Sequence, residues 1–129
     1  MRTETAILKN LLLNEDYTRK VLPFLKIDYF TEHADKTIYD KINDFVVKYN
    51  SLPSKEALVI ELSETKMNEE EFKESMELLD AINSDSEDYT DLGWLLDTTE
   101  KFCQDKAIYN AVVESISILD DPKTGKDKG

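Results

Sequence analysis

One run of the sequence constrains the fold more than any other. From about Asp91 to Leu119 the apolar residues Leu92, Leu95, Leu96, Phe102, Cys103, Tyr109, Val112, Val113, Ile116 and Leu119 recur at helical spacing, with no proline among them. At about 1.5 Å per residue such a helix exceeds roughly 40 Å, longer than a chain of 129 residues needs to cross its own globule. Its second half is therefore expected to project, and a projecting apolar stripe requires a partner.

The residues before it read as shorter helices. Ile7, Leu8, Leu11 and Leu12 place a first helix over about Thr3–Leu13. Asn14 caps a second one carrying Tyr17, Val21 and Leu22, which Pro23 perturbs or ends. Phe24 to Phe30 forms a compact apolar connection, and Thr31 is expected to cap a third helix with the stripe Ile38, Ile42, Phe45, Val46 and Tyr49. After the turn Asn50-Ser51-Leu52-Pro53, Ser54 opens a fourth helix holding Ala57, Leu58, Ile60 and Leu62. Asn68-Glu69-Glu70-Glu71 has the capping-box pattern and starts a fifth, with Phe72, Met76, Leu79 and Ile82 on its apolar face. Asn83–Thr90 is polar and acidic and reads as a loop. With only three glycines, and Leu, Ile, Glu and Lys dominant, the expected class is all-α. The architecture is a compact bundle of about six helices with a long, partly projecting C-terminal helix. Residues 1–90 are expected to form the globule, 91–119 the long helix, and 120–129 a polar tail or the start of a linker.

The charge is unevenly placed. The net charge is −12, and residues 61–100 carry 14 acidic side chains against only Lys66 and Lys73. The acidic face formed by Glu69, Glu70, Glu74, Asp85, Glu87 and Asp88 repels phosphate backbones and suits a basic protein partner; a solvated face kept for solubility is the plainer alternative. No apolar stretch reaches 18 residues, which argues against a membrane span, and Cys103 as the single cysteine fits a reducing, cytoplasmic setting.

Catalytic patterns are missing. Thr124-Gly125-Lys126 lacks the leading glycine and the following Ser or Thr of a phosphate-binding loop. The acidic run around Asp85, Glu87, Asp88 and Asp91 has no register with both the glycine and the terminal glutamate of a calcium loop. His33 has no partner at metal-binding spacing, and in the first turn of a helix it is expected to hydrogen-bond or pack. Cys103 reads as a buried, inert thiol. Trp94 reads as a core anchor, with an interface role as the alternative. No enzyme activity, metal or cofactor is expected in this segment.

The order Tyr17…Val21-Leu22-Pro23, Asp28-Tyr29-Phe30, His33…Ile38-Tyr39…Ile42…Tyr49 and Leu52-Pro53-Ser54…Ala57-Leu58…Leu62 resembles the N-terminal domain of DnaB-type replicative DNA helicases. The segment Thr99-Glu100-Lys101-Phe102-Cys103-Gln104-Asp105-Lys106-Ala107…Asn110-Ala111 is similar to the gene-41-type helicases of T-even bacteriophages. The resemblance covers about five-sixths of the chain, all of it at packing positions. It implies an assembly and docking domain of a hexameric ring helicase acting in the cytoplasm of an infected bacterium. The ATP- and magnesium-dependent motor domain would lie downstream. Copies of this domain would build the ring's collar through a helical hairpin, and primase and a helicase loader would dock on it. The domain alone would touch neither DNA nor membrane. The long helix would be the hairpin's first arm, with Phe102, Tyr109, Val113 and Ile116 as the self-association residues. The second arm does not follow Asp120, so the chain reads as a fragment of its parent. A stand-alone acidic helical adaptor of a phage, binding a basic host or phage protein, is the competing reading.

Overall fold

The computed structural model describes residues 2–83 and 90–120, with side chains up to residue 117. Six α-helices follow one another: α1 (Thr3–Leu13), α2 (Glu15–Val21), α3 (His33–Tyr49), α4 (Lys55–Glu64), α5 (Glu69–Ile82) and α6 (Leu92–Asp120). Two 3₁₀ turns, Leu22–Phe24 and Ile27–Tyr29, link α2 to α3, and the described residues contain no strand. The all-α reading and its long C-terminal helix are borne out.

Local chemistry sets most boundaries. The Asn14 side chain accepts from the Tyr17 amide at 3.0 Å, so α2 starts with this single residue between it and α1. Pro23 turns the chain into 3₁₀ geometry at the first residues where an α-helix would need its missing amide. Asn50 ends α3 in the left-handed conformation (φ 54°), one of the few non-glycine types that adopts it readily. Ser54 caps α4, and Asn68 with Glu71 forms the full capping box of α5. Thr31, expected as the cap of α3, is not used. Glu32 occupies that position and makes no side-chain cap.

The start of α3 is held instead by a distant residue. Arg2 donates to both oxygens of Asp35, at 2.9 and 3.1 Å, and Asp35 is buried in the third residue of the helix. A buried carboxylate needs such a fork to offset the water it loses.

The core runs through α1, which packs against α2, α3, α5 and α6. That position explains the breadth of its apolar surface: Ile7, Leu8, Leu11 and Leu12 are all buried. Around it lie Tyr17, Phe30, Ile38, Ile42, Leu58, Leu62, Leu79, Ile82 and Leu95. The stripe on α3 outruns its cover. Ile38 and Ile42 are fully buried and Phe45 only half-buried, while Tyr49 is exposed, its ring tilted at 48° against Phe45 with centroids 4.7 Å apart. The stripe spacing alone would place Phe45 in the core beside Ile42; the structure corrects that, leaving it half-buried. Ile60, placed on the apolar side of α4, is likewise exposed.

Candidate functional site

α6 divides into two halves of different chemistry. Asp91 caps it, its carboxylate accepting from the Trp94 amide at 2.9 Å. Over the first half Leu95, Thr99 and Phe102 point into the globule and are buried. The Tyr17 hydroxyl and the Thr99 hydroxyl meet at 2.5 Å, joining α2 to α6 inside the core. Burial pushes the Tyr17 phenol up to about 12, because its anion would lose water; the bond to Thr99 acts in the opposite sense. Phe102 lies against Phe30 (ring centroids 5.7 Å apart), which in turn stacks on Tyr39. Phe102, expected among the self-association residues, is instead buried against the core.

The attachment ends at Asn110, whose side-chain amide donates to the Asp28 carbonyl at 3.0 Å. From residue 111 to residue 117 every described side chain is exposed. The line of the buried residues continues as Lys106, Tyr109, Val113 and Ser117, so it stays partly apolar where the globule stops. The apolar residues spread from that line around the axis. Taking 3.6 residues per turn, Val113 lies on the core-facing line, Tyr109 and Ile116 about 50–70° from it, and Val112 and Ile108 about 110–150° from it. They are between 42% and 65% exposed.

Three of the four expected self-association residues, Tyr109, Val113 and Ile116, thus lie together on one uncovered surface. Ile108 was overlooked, although its i,i+4 spacing to Val112 was visible in the sequence. Trp94 is not the core anchor expected. It is 55% exposed and lies on the same side of α6 as Ile108 and Val112, which leaves the interface alternative.

The expected acidic face is only partly described. Glu69, Glu70 and Glu74 are exposed on α5, whereas Asp85, Glu87 and Asp88 lie outside the described residues, as does Thr124-Gly125-Lys126. Neighbouring charges are engaged in folding. Glu71 closes the capping box and sits 3.0 Å from His33 Nε2, and Asp80 pairs with Lys55 at 2.8 Å. His33 thus packs between Glu71 of α5 and Thr37 of its own helix, whose hydroxyl lies 3.3 Å from Nε2.

A groove of about 560 Å³ opens between the end of α2, the 3₁₀ turns and the opposite side of α6. Val21, Phe24, Tyr29, Leu96, Cys103 and Ala107 line it, between Lys20 and Glu100. Cys103 is half-buried, and burial raises its thiol pKa, which keeps it protonated and a weak nucleophile. Among the described residues no cluster of His, Cys, Asp or Glu could hold a metal ion. No helix there is long and apolar enough to cross a membrane.

Comparison with known proteins bears out the resemblance read from the residues. Over 112 residues, 87% of its length, the chain is 31% identical to the DnaB-like replicative helicase of Enterobacteria phage T4. The match occupies 23% of that helicase, so the chain spans about a quarter of its relative's length. No family model matches the chain.

Proposed function

We propose that this relative of a phage replicative helicase is the N-terminal assembly and docking domain of such an enzyme, a helicase that unwinds DNA at a replication fork. The observation that carries the reading is the distal half of α6. A domain with a well-filled core extends a helix beyond it and sets five uncovered apolar residues on one arc, more than a lone helix in water normally exposes. Similarity to a quarter of a helicase supports a non-catalytic segment of a larger chain. On this reading residues 1–90 are the docking head, 91–119 the pairing helix and 120–129 the start of a linker. The motor domain, with its ATP and magnesium, belongs to the downstream part of the parent.

Copies of the domain associate through Tyr109, Val113 and Ile116, joined by Ile108 and Val112, and in the parent they form the collar of a hexameric ring. Primase and a helicase loader dock on the head, where Glu69, Glu70 and Glu74 of α5 present negative charge to a basic surface. The same charge keeps the isolated domain off DNA, and it has no loop for a nucleotide phosphate.

The test is sedimentation of the wild type and of a Val113→Asp, Ile116→Asp double variant across concentration. The wild type is expected to associate weakly, with a Kd on the order of micromolar to millimolar, and the variant to stay monomeric and helical. Equal association of the two would overturn the assignment of the surface. A parent reading frame that stops near Gly129, instead of continuing into a Gly-Lys-Ser/Thr loop, would favour the stand-alone acidic adaptor.

A further inference from the structure

The groove beside the 3₁₀ turns lies on the other side of the α6 axis from Trp94 and Val112. Leu96, Cys103 and Ala107 fall on one line of the helix and form one wall; Val21, Phe24 and Tyr29 form the other. At 1.5 Å per residue the stretch from Leu96 to Ala107 is about 16 Å long, or three turns of a helix. The volume of about 560 Å³ is that of a site which takes several side chains and not one. Phe24 stands at the lip, 70% exposed, although its neighbours Leu22 and Leu25 are buried. An uncovered phenylalanine beside an apolar trough makes a contiguous patch that one bound element would cover.

The two walls carry opposite charges at their rims. Lys20 stands on the α2 side and has no ion-pair partner among the described residues. Glu100 stands on the α6 side, where it accepts from Gln104 of the same helix at 3.3 Å. We propose that this groove receives an amphipathic helix of a basic partner protein. The apolar stripe of that helix, at i, i+4 and i+7, lies along Leu96, Cys103 and Ala107, with one large side chain covered by Phe24. One edge of the stripe carries an acidic residue for Lys20, and the other a basic residue for Glu100.

Shape and charge select this occupant. An extended peptide gains its affinity by adding to a sheet edge, and the described residues contain no strand. A helix needs only a trough, and the short side chain of Ala107 lets its backbone approach α6. The net charge of −12 draws a positively charged protein from a distance, whereas a second copy of this chain would bring the same negative charge against it. Once the helix is docked, Lys20 and Glu100 fix its direction, because turning it end for end would exchange its two edges and set like charges together. The groove shares no residue with the surface of Tyr109, Val113 and Ile116, so partner docking and self-association are separate properties of α6.

The probe is a fluorescent synthetic peptide helix with leucines at i, i+4 and i+7, one aspartate on one edge of that stripe, and lysines on the other edge and the outer face. With the 129-residue chain its anisotropy is expected to rise, and alkylation of Cys103, the single cysteine, to slow as the groove fills. Ala107→Trp, which fills the groove from an exposed position, and Lys20→Glu are each expected to weaken binding by about tenfold. A peptide with lysine in place of the aspartate should recover the loss in Lys20→Glu. Lys101→Glu makes the same change of net charge on another side of α6 and should leave binding within about twofold. Helical circular dichroism checks that each variant is folded. Binding that ignores Ala107→Trp and leaves Cys103 reactive would put the peptide on the acidic face of α5 and overturn the proposal, as would no binding up to millimolar peptide. Equal losses for Lys20→Glu and Lys101→Glu would also overturn it, since net charge alone would then explain binding. Slower alkylation on concentrating the chain by itself would make a second copy the occupant and sink the partner helix. None of these results bears on Tyr109, Val113 and Ile116, which the double variant tests by itself.

Discussion

Asn110 donates a hydrogen bond to the carbonyl of Asp28, and it is the last side chain of α6 to reach the globule among the described residues. On one side of this contact the helix serves the core, through Leu95, Thr99 and Phe102. On the other it serves only the surface. Substitutions on α6 should therefore divide into those that lower stability and those that lower association.

Phe102→Ala and Tyr109→Ala make the contrast. Phe102 is buried against Phe30, so its truncation should cost about 3–5 kcal/mol in chemical denaturation. Tyr109 is 62% exposed, and its truncation should cost less than about 0.5 kcal/mol in the monomer while weakening self-association. Comparable losses of stability at both positions would contradict the division.

Tyr17→Phe removes one partner of the only hydrogen bond described between the side chains of α2 and α6. With both hydroxyls buried, the expected loss is about 1–2 kcal/mol at neutral pH. The residue also gives the chain an alkaline sensitivity. Its phenol is raised from 10.0 to about 12 in the folded state, so the native chain holds this proton where the unfolded chain has released it. The corresponding stability is complete below pH 10 and declines as the pH rises towards 12. Denaturation curves across that window should fall less steeply for Tyr17→Phe than for the wild type.

Asp40 works in the opposite region of pH. Burial, and after it the nearby Asp44, raises its carboxyl above the ordinary value. The native state then binds this proton more tightly than the unfolded chain. Its favourable contribution is present below about the unfolded value of 3.8 and is lost as the pH rises through the native one. Asp40→Asn should consequently be more stable than the wild type near neutral pH, by less than about 1 kcal/mol for a partly solvated group. The advantage should shrink in acid. A neutral-pH stability below that of the wild type would refute this.

Ser75 lies fully buried on α5, and its hydroxyl has no hydrogen-bond partner. Ser75→Ala removes an unsatisfied polar group and installs the better helix former. Thermal unfolding should show no loss, and a gain of up to about 1 kcal/mol. A clear loss would mean that the hydroxyl has a partner after all.

Helix positions were largely legible because their signals are local. Asn14, Pro23, Ser54 and the Asn68–Glu71 box act on amides within a few residues, and each does in the structure what its type and spacing indicate. Thr31 failed as a cap because the entry to α3 is held from far away, by Arg2 on Asp35. That pairing joins residues 33 apart and leaves no trace in either local context.

The candidate surface was legible in the same partial way. The length of α6 and the presence of apolar residues near its end followed from periodicity alone, and so did the projection of its second half. Periodicity cannot say which apolar residues of a helix are covered, because covering depends on what other elements bring against each face. Phe102 and Tyr109 stand seven residues apart and look alike in a sequence. Phe30 happens to lie against the first, and no described element covers the second. The sequence by itself determined the helices, their caps and the acidic charge. Only the tertiary structure decided that Phe102 belongs to the core, that Trp94 is left outside it, and that the cover over α6 ends at Asn110 while its apolar residues continue. Propensity and capping energies are properties of neighbouring residues, whereas burial is a property of the whole packing.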